Sequence, residues 1–432
     1  MSHPLGSLDA AFWALESAHA PMHLGALALF GPGADPRPAR LAGVLAERAT
    51  TLPALRRRVV QSWLPHRGPR WEDDPAFDPS AHIHVHEEPG ADLPTQVADL
   101  MARPLDRGRP PWEFHLLLPG RADQGFALLA KLHHAAVDGL RAVELGIRLV
   151  DEWQSAPPPR PRRPRPVPPA PPLWSRLADE GRKALGAAEL AAEVVRAIRP
   201  LPSPLEAAPG APRRVVLPTL PLEQVQRIRR AAGGTVHDVV LAAVAGALRA
   251  QLPDPRDLRV LVPVSQRSRA GGAVTGNQLS GYLVTLPCGE PDPLRRLARV
   301  SADMAEHKRR GPKRGAGAMA LLTDRAPAAS MRLAAPWLRP TAPLLFDALV
   351  TTVPLPDVPL TLAGAPLTAV HPLPPLPLGH GLGIAVSSYR GALNLGLYGS
   401  VDVAAIGEAL HRELSLLEQA LGPEPVTTPA SG

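Results

Sequence analysis

The chain has a single cysteine, Cys288, so no internal disulfide can form, and the composition fits a reducing compartment. Aromatic residues make up only 4%, and lysine is nearly absent: Lys131, Lys183, Lys308 and Lys313 are the only four, so the formal net charge of +7 rests on arginine. Arginine spread this widely follows the base composition of a genome, and no nucleic-acid partner is expected. No run reaches the roughly 18 to 20 uninterrupted apolar residues that span a bilayer. The first nine residues have neither the basic start nor the apolar core of a signal peptide, so a cytoplasmic protein is expected. A Gly-x-Ser-x-Gly elbow is also missing, which argues against an α/β-hydrolase lipase.

What is present is enough apolar residue, 45%, for a globular protein of 432 residues, too long for one small core. Residues 155–172, SAPPPRPRRPRPVPPAPP, hold ten prolines and four arginines and have nothing to bury. They read as an extended linker, 155–173, between an N-terminal domain, 1–154, and a C-terminal domain, 174–432. Before the linker, residues 25–30, 113–118 and 126–132 read as strands, and 39–49 and 138–152 as helices, the alternation of an α/β layer structure. After it, 174–199 carries an amphipathic helical pattern, and Thr235 stands as N-cap to a helix that runs to Leu252. Residues 258–264, 282–286, 348–353 and 382–389 read as strands and 408–421 as a C-terminal helix.

The most informative segment is 133–139, His-His-Ala-Ala-Val-Asp-Gly, directly after the apolar run 126–132. A strand that ends in histidine and turns through Asp-Gly mounts an imidazole at a strand end, where a cleft can use it. With an ordinary pKa near 6.5, imidazole can take a proton from one group and return it to another.

This heptapeptide resembles the HHxxxDG motif of the CoA-dependent acyltransferase superfamily, and the flanking residues resemble its wax ester synthase/diacylglycerol acyltransferase branch. The resemblance starts with residues 8–13, Leu-Asp-Ala-Ala-Phe-Trp, with Glu16 and 21–25, Pro-Met-His-Leu-Gly. It continues through Pro53 with 55–58, Trp71, Phe77-Asp78 with His82, 104–106 and 110–113, and after the linker through 235–239, 262–265 with Arg267, Gly276-Asn277 and Leu286-Pro287. It implies two chloramphenicol-acetyltransferase-like domains with the active-site channel at their interface. The implied activity is acyl-CoA-dependent O-acylation of a lipid alcohol, diacylglycerol or a fatty alcohol, by direct transfer in a ternary complex. Acyl-CoA would be a co-substrate, with no cofactor and no metal. Two alternatives stand beside it: a condensation-like acyltransferase acting on a non-lipid alcohol or amine, and a non-catalytic lipid-binding homologue.

By the same resemblance His134 is the general base, His133 its structural neighbour, and Asp138 the carboxylate of a structural ion pair with an arginine. Gly139 would permit close packing at the turn into the helix. Asn277, Thr351 and Thr352 are candidates for substrate binding or oxyanion stabilisation. The chain departs from the family pattern in three places: His237 stands where an asparagine is usual, 352–356 reads Thr-Val-Pro-Leu-Pro in place of Asn-Val-Pro-Gly-Pro, and Gly383 replaces the asparagine of Gly-Leu-Asn. A shifted acceptor preference is expected from Thr352, Leu355 and Gly383.

Cys288 reads as an unreactive turn thiol. His82, His84 and His86 alternate as zinc ligands on a strand could, but a solvated strand edge is the better reading. Residues 379–383, Gly-His-Gly-Leu-Gly, are a weak match to a dinucleotide fingerprint. The basic stretch 307–314 is a candidate for CoA phosphates or anionic headgroups, and linker arginines for peripheral contact with a membrane or lipid droplet.

Overall fold

A computed structural model of the chain describes residues 2–33, 37–64, 67–87, 92–118, 125–154, 202–265, 279–310, 330–339 and 342–422. The linker, the helix expected over 174–199, Asn277 and residues 311–314 lie outside them. In the N-terminal half the order is β1 His3–Pro4, α1 Ser7–Leu15, β2 His23–Phe30, α2 Pro38–Thr50, β3 Arg57–Val60, β4 Arg70–Asp73, β5 Ile83–His86, α3 Leu93–Ala102, β6 Trp112–Leu117, β7 Phe126–His133, α4 Gly139–Ile147 and α5 Asp151–Gln154. The C-terminal half continues with β8 Arg214–Val216, β9 Thr219–Pro221, α6 Leu222–Ala232, α7 Val236–Gln251, β10 Leu258–Ser265, β11 Leu279–Leu286, α8 Pro293–Arg310, α9 Ser330–Leu338 and α10 Ala342–Leu345. It ends with β12 Ala348–Pro354, β13 Thr361–Leu362, β14 Ala365–Leu373, β15 Leu382–Tyr389, β16 Ala392–Gly399 and α11 Val403–Leu421.

These elements form the α/β layers that the sequence predicts, built on two mixed sheets. One has the order β13-β14-β2-β7-β6-β5 and the other β11-β10-β12-β15-β16-β8, with β9 also on β16. A small sheet, β1-β4-β3, flanks the first. β7 is buried along nearly its whole length, the mark of a strand covered on both faces, and its one internal charge, Lys131, is paired with Glu113 Oε2 at 3.0 Å. β2 alternates buried and half-buried positions beside it.

β14 comes from the C-terminal half yet pairs antiparallel with β2, from Leu367↔Phe30 to Leu373↔Gly25. It also ties the two large sheets together: the Ser387 hydroxyl on β15 donates to Val370 O at 2.6 Å, and His371 Nδ1 lies 2.8 Å from Leu395 O on β16. Gly396 permits that approach, because a Cβ there would collide with Pro372 O.

α7 is the core helix of the second half. Every residue from Asp238 to Leu248 is buried, as an all-round apolar sequence requires. Its start is fixed by a capping box in which Thr235 Oγ1 accepts from Asp238 N and Asp238 Oδ2 accepts from Thr235 N. At Gly246 the missing side chain leaves room for the buried pair of Arg296 on α8 and Glu413 on α11. Among the described residues no single helix is long and apolar enough to cross a membrane.

The helix expected over 138–152 is broken after Ile147. The break lets Asp151 face three partners at once: Arg48 Nη2 of α2 at 2.5 Å, and the main-chain N–H groups of Ala363 at 3.0 Å and Gly364 at 2.8 Å in the β13–β14 turn. A continuous helix would point that carboxylate elsewhere.

Candidate active site

β7 ends at His133, opposite His23 of β2, and the chain turns at once: His134 N donates to Met22 O at 2.8 Å and Ala136 N to His133 O at 2.9 Å. Asp138 closes the turn as N-cap of α4, its Oδ1 accepting from Arg141 N at 2.9 Å. The carboxylate is 1% exposed. A Cβ on Gly139 would meet Val353 of β12 at 3.8 Å, an ordinary contact. The turn thus abuts β12, but that packing does not demand a glycine.

The two histidine rings are held by consecutive aromatics of α1. Phe12 stacks on His134 with centroids 4.0 Å apart and planes at 16°, and Trp13 tilts against His133 at 4.8 Å. His133 Nδ1 accepts from Ala135 N at 3.0 Å, which leaves the ring proton on Nε2, 3.6 Å from Glu16 Oε1. Glu16 also accepts from Met22 N at 3.3 Å and pairs with Arg107 Nη1 at 3.3 Å, while the Arg107 guanidinium lies 4.1 Å from the Trp13 ring centroid. Burial pushes the Glu16 carboxyl up, but His133 and Arg107 outweigh it and hold it below the usual range. Burial draws His133 down, against the pull of Glu16.

His134 is 8% exposed. Burial is the main cause that takes its pKa down to about 4, with His133 adding to the fall and a hydrogen bond to its own main chain and the Asp138 charge opposing it. At neutral pH the ring is uncharged and in the form that can accept a proton.

Of the other sequence candidates, Thr352 is engaged elsewhere: its Oγ1 lies 2.8 Å from Nδ1 of His237, in the first turn of α7. Thr351 sits beside it on β12, level with Ala385 of β15. Leu355 packs on the core of the N-terminal sheet. Gly383 is sterically required, since a Cβ there would come within 2.8 Å of Pro374 Cγ. Cys288 is buried, its thiol pushed up to about 12 chiefly by burial, and unreactive as expected. His82 Nδ1 turns to Trp112 O at 2.9 Å while His86 Nε2 meets His115 Nδ1 at 3.1 Å, so the three alternating histidines do not converge. Among the described residues no group of three or more metal-ligating side chains gathers. His380 of the glycine-rich stretch is buried with Nε2 3.1 Å from Phe346 O. In the basic stretch, His307 pairs with Asp303 and Arg309 with Glu306 on their own helix.

Glu16, Arg107, Phe12 and Trp13 are the site residues that sequence reasoning did not single out. The N-terminal resemblance contains three of them, but nothing local says that a helix at residues 7–15 covers a turn at 133–139.

Two family models match the chain: the wax ester synthase/diacylglycerol acyltransferase catalytic domain over residues 5–186, and the WS/DGAT C-terminal domain over 275–418. The chain is 32% identical over 440 residues to a putative diacylglycerol O-acyltransferase of Mycobacterium bovis, covering 95% of this chain and 94% of that one. Among solved structures, the wax ester synthase/diacylglycerol acyltransferase from Marinobacter aquaeolei VT8 superposes with a TM-score of 0.70 at 25% identity, over 97% of this chain and 100% of that one. The trichothecene 15-O-acetyltransferase of Fusarium sporotrichioides shares the fold, with a TM-score of 0.64 at 14% identity over 96% and 94% of the two chains.

Proposed function

The chain belongs to the wax ester synthase/diacylglycerol acyltransferase family, and from that premise we propose that its acyl transfer runs through His134 as general base. The protein is an acyl-CoA-dependent O-acyltransferase of lipid alcohols. The observation that carries the role of His134 is its state: an imidazole at a strand end, stacked on Phe12 and kept neutral by burial, beside a second histidine held by Glu16.

The neutral ring takes the proton of the acceptor hydroxyl as the alcohol oxygen attacks the thioester carbonyl carbon. The tetrahedral intermediate collapses with cleavage of the C–S bond, and the imidazolium returns its proton to the departing thiolate. An ester and free CoA result, with no covalent acyl-enzyme and no resident cofactor. The stack on Phe12 keeps the ring from turning away.

Diacylglycerol is the first acceptor to test, because it is named for relatives that match nearly end to end. Fatty alcohol giving wax ester is the second. Both are insoluble in water, which supports a cytoplasmic protein that meets its acceptor at a membrane or lipid-droplet surface. The deciding experiment supplies labelled acyl-CoA with diacylglycerol or hexadecanol to wild type and His134→Ala. Ester formation that falls about 10² to 10⁴-fold in the folded variant supports the role. Undiminished turnover in His134→Ala would remove it.

A further inference from the structure

α1 has two working faces. Phe12 stacks on His134, while Ala10, Trp13 and Ala14, spaced i, i+3 and i+4, share another face and line a cleft of about 400 Å³. The loop after β3 and helix α9 complete its walls, and four arginines are among the residues that line it: Arg67, Arg107, Arg332 and Arg339. No carboxylate is among the described residues that line it.

Two of the arginines are built in. Arg107 is held by Glu16 and by Trp13 O at 2.9 Å, and Arg339 caps the C-terminal end of α1 through Ala14 O, Leu15 O and Glu16 O. The other two are exposed, and the bond of the Arg332 side chain is a long one of 3.5 Å to Ser62 O. Burial draws Arg107 below its ordinary value, and the like charge of Arg339 adds to that while Glu16 opposes it. Four guanidiniums against one paired carboxylate leave a concentrated positive field in a concave site, and guanidinium forks match phosphate oxygens in pairs. The cleft is of ligand size.

We propose that this cleft binds the phosphates of the nucleotide end of acyl-CoA. The inference rests on acyl-CoA being the donor. Trp13 joins the cleft to the catalytic turn, since it lines the cleft and its ring lies 4.8 Å from that of His133. The basic stretch at 307–314 is then not needed for this task.

Phosphate could also come from anionic lipid headgroups, and two measurements on the full chain separate the sources. In calorimetry, Arg67→Gln with Arg332→Gln should weaken CoA binding at least tenfold, weaken dephospho-CoA less, and leave the weak binding of pantetheine where it was. CoA affinity of wild type should fall more steeply with salt than that of the variant. Equal CoA affinity in the two proteins overturns the proposal. In flotation with phosphatidylglycerol or phosphatidylcholine vesicles, loss of binding to the anionic vesicles alone, with CoA affinity unchanged, would assign the cleft to a lipid surface and overturn the nucleotide assignment. CoA binding that depends on the arginines in a protein that acylates no lipid alcohol would sink the reaction and leave the cleft standing. Acyl transfer with arginine-independent CoA binding would do the reverse.

Discussion

His237 Nδ1 and Thr352 Oγ1 are hydrogen-bonded at 2.8 Å, so two separate departures from the family pattern form one contact between α7 and β12. The other ring nitrogen, Nε2, is buried and has no hydrogen-bond partner among the described residues. Burial takes the ring down to about 4, with the Lys308 charge adding and Asp238 opposing, so it is neutral at pH 7. β12 also carries Val353, the neighbour of Thr352, beside the Gly139 turn.

Because the two side chains share a bond, their effects on acceptor choice should not add. His237→Asn and Thr352→Asn are each expected to shift the kcat/KM ratio between diacylglycerol and hexadecanol, and the double variant to differ from the product of the singles by a coupling of about 0.5 to 3 kcal/mol. Additivity within twofold across the acceptor panel would show that the contact does not set selectivity.

Glu16→Gln should cost both structure and rate. Arg107 loses its carboxylate and His133 its anionic neighbour; with Glu16 buried but the Arg107 side chain 41% exposed, the loss is on the order of 1 kcal/mol, visible as a lower Tm. Turnover should fall and KM for acyl-CoA should rise, since Glu16 holds Arg107, which lines the cleft assigned to the CoA phosphates. A Tm equal to wild type would mean that the Glu16 network carries no stability.

Asp138→Asn tests the scaffold role of the N-cap. Asparagine caps nearly as well as aspartate, so the helix start should survive, while loss of the structural ion pair that the family resemblance implies for this carboxylate should lower Tm and activity together. Collapse of turnover at unchanged Tm would place Asp138 in the chemistry instead.

Several buried histidines make the protein acid-sensitive. Burial is the leading cause that brings His134, His237 and His380 to about 4 and His23 to about 3, while the unfolded chain titrates near 6.5. Between those limits the unfolded state binds more protons, so stability is full above pH 6.5 and falls as pH drops toward 4. Each pH unit of lowering corresponds to roughly 1.4 kcal/mol per group, and urea midpoints should decline steeply from pH 6.5 to 4.5. The kcat/KM profile should in turn show no acid limb near pH 6.5. An inflection there, at constant stability, would contradict a neutral His134.

Gly383→Asn, which restores the family residue, should destabilise this chain by about 1 to 3 kcal/mol, because even a Cβ would overlap the Pro374 ring. A thermal melt that matches wild type would show that the ring moves aside without cost. The sequence comparison treats the position as a selectivity change, whereas its immediate cause is packing against a proline of the preceding loop.

That example marks the limit of what could be read in advance. The α/β alternation, the strands at 126–132 and 382–389 and the Thr235 cap follow from local periodicity and capping chemistry, and all are present. The HHxxxDG turn was legible because its residues are contiguous. The Glu16–His133–Arg107 contact was not, since its members lie far apart in the chain and only the packing of α1 brings them together. The arginine cleft draws on four separated segments with no shared motif. The break at 148–150 depends on Asp151 reaching a hairpin more than two hundred residues later.

β14 bears on how the protein is made. The edge of the N-terminal sheet that β14 covers stays open on the ribosome until residues 365–373 have been synthesised, although β2, β6 and β7 can pair much earlier. A nascent chain released before that point would present the free N–H and C=O groups of β2 to any other unfinished copy. The long loop that must close before β14 docks also makes this the slow contact of folding. Supply of a chaperone, and the pace of translation through the arginine- and proline-rich stretch, should therefore govern the yield of intact enzyme more than the stability of either half.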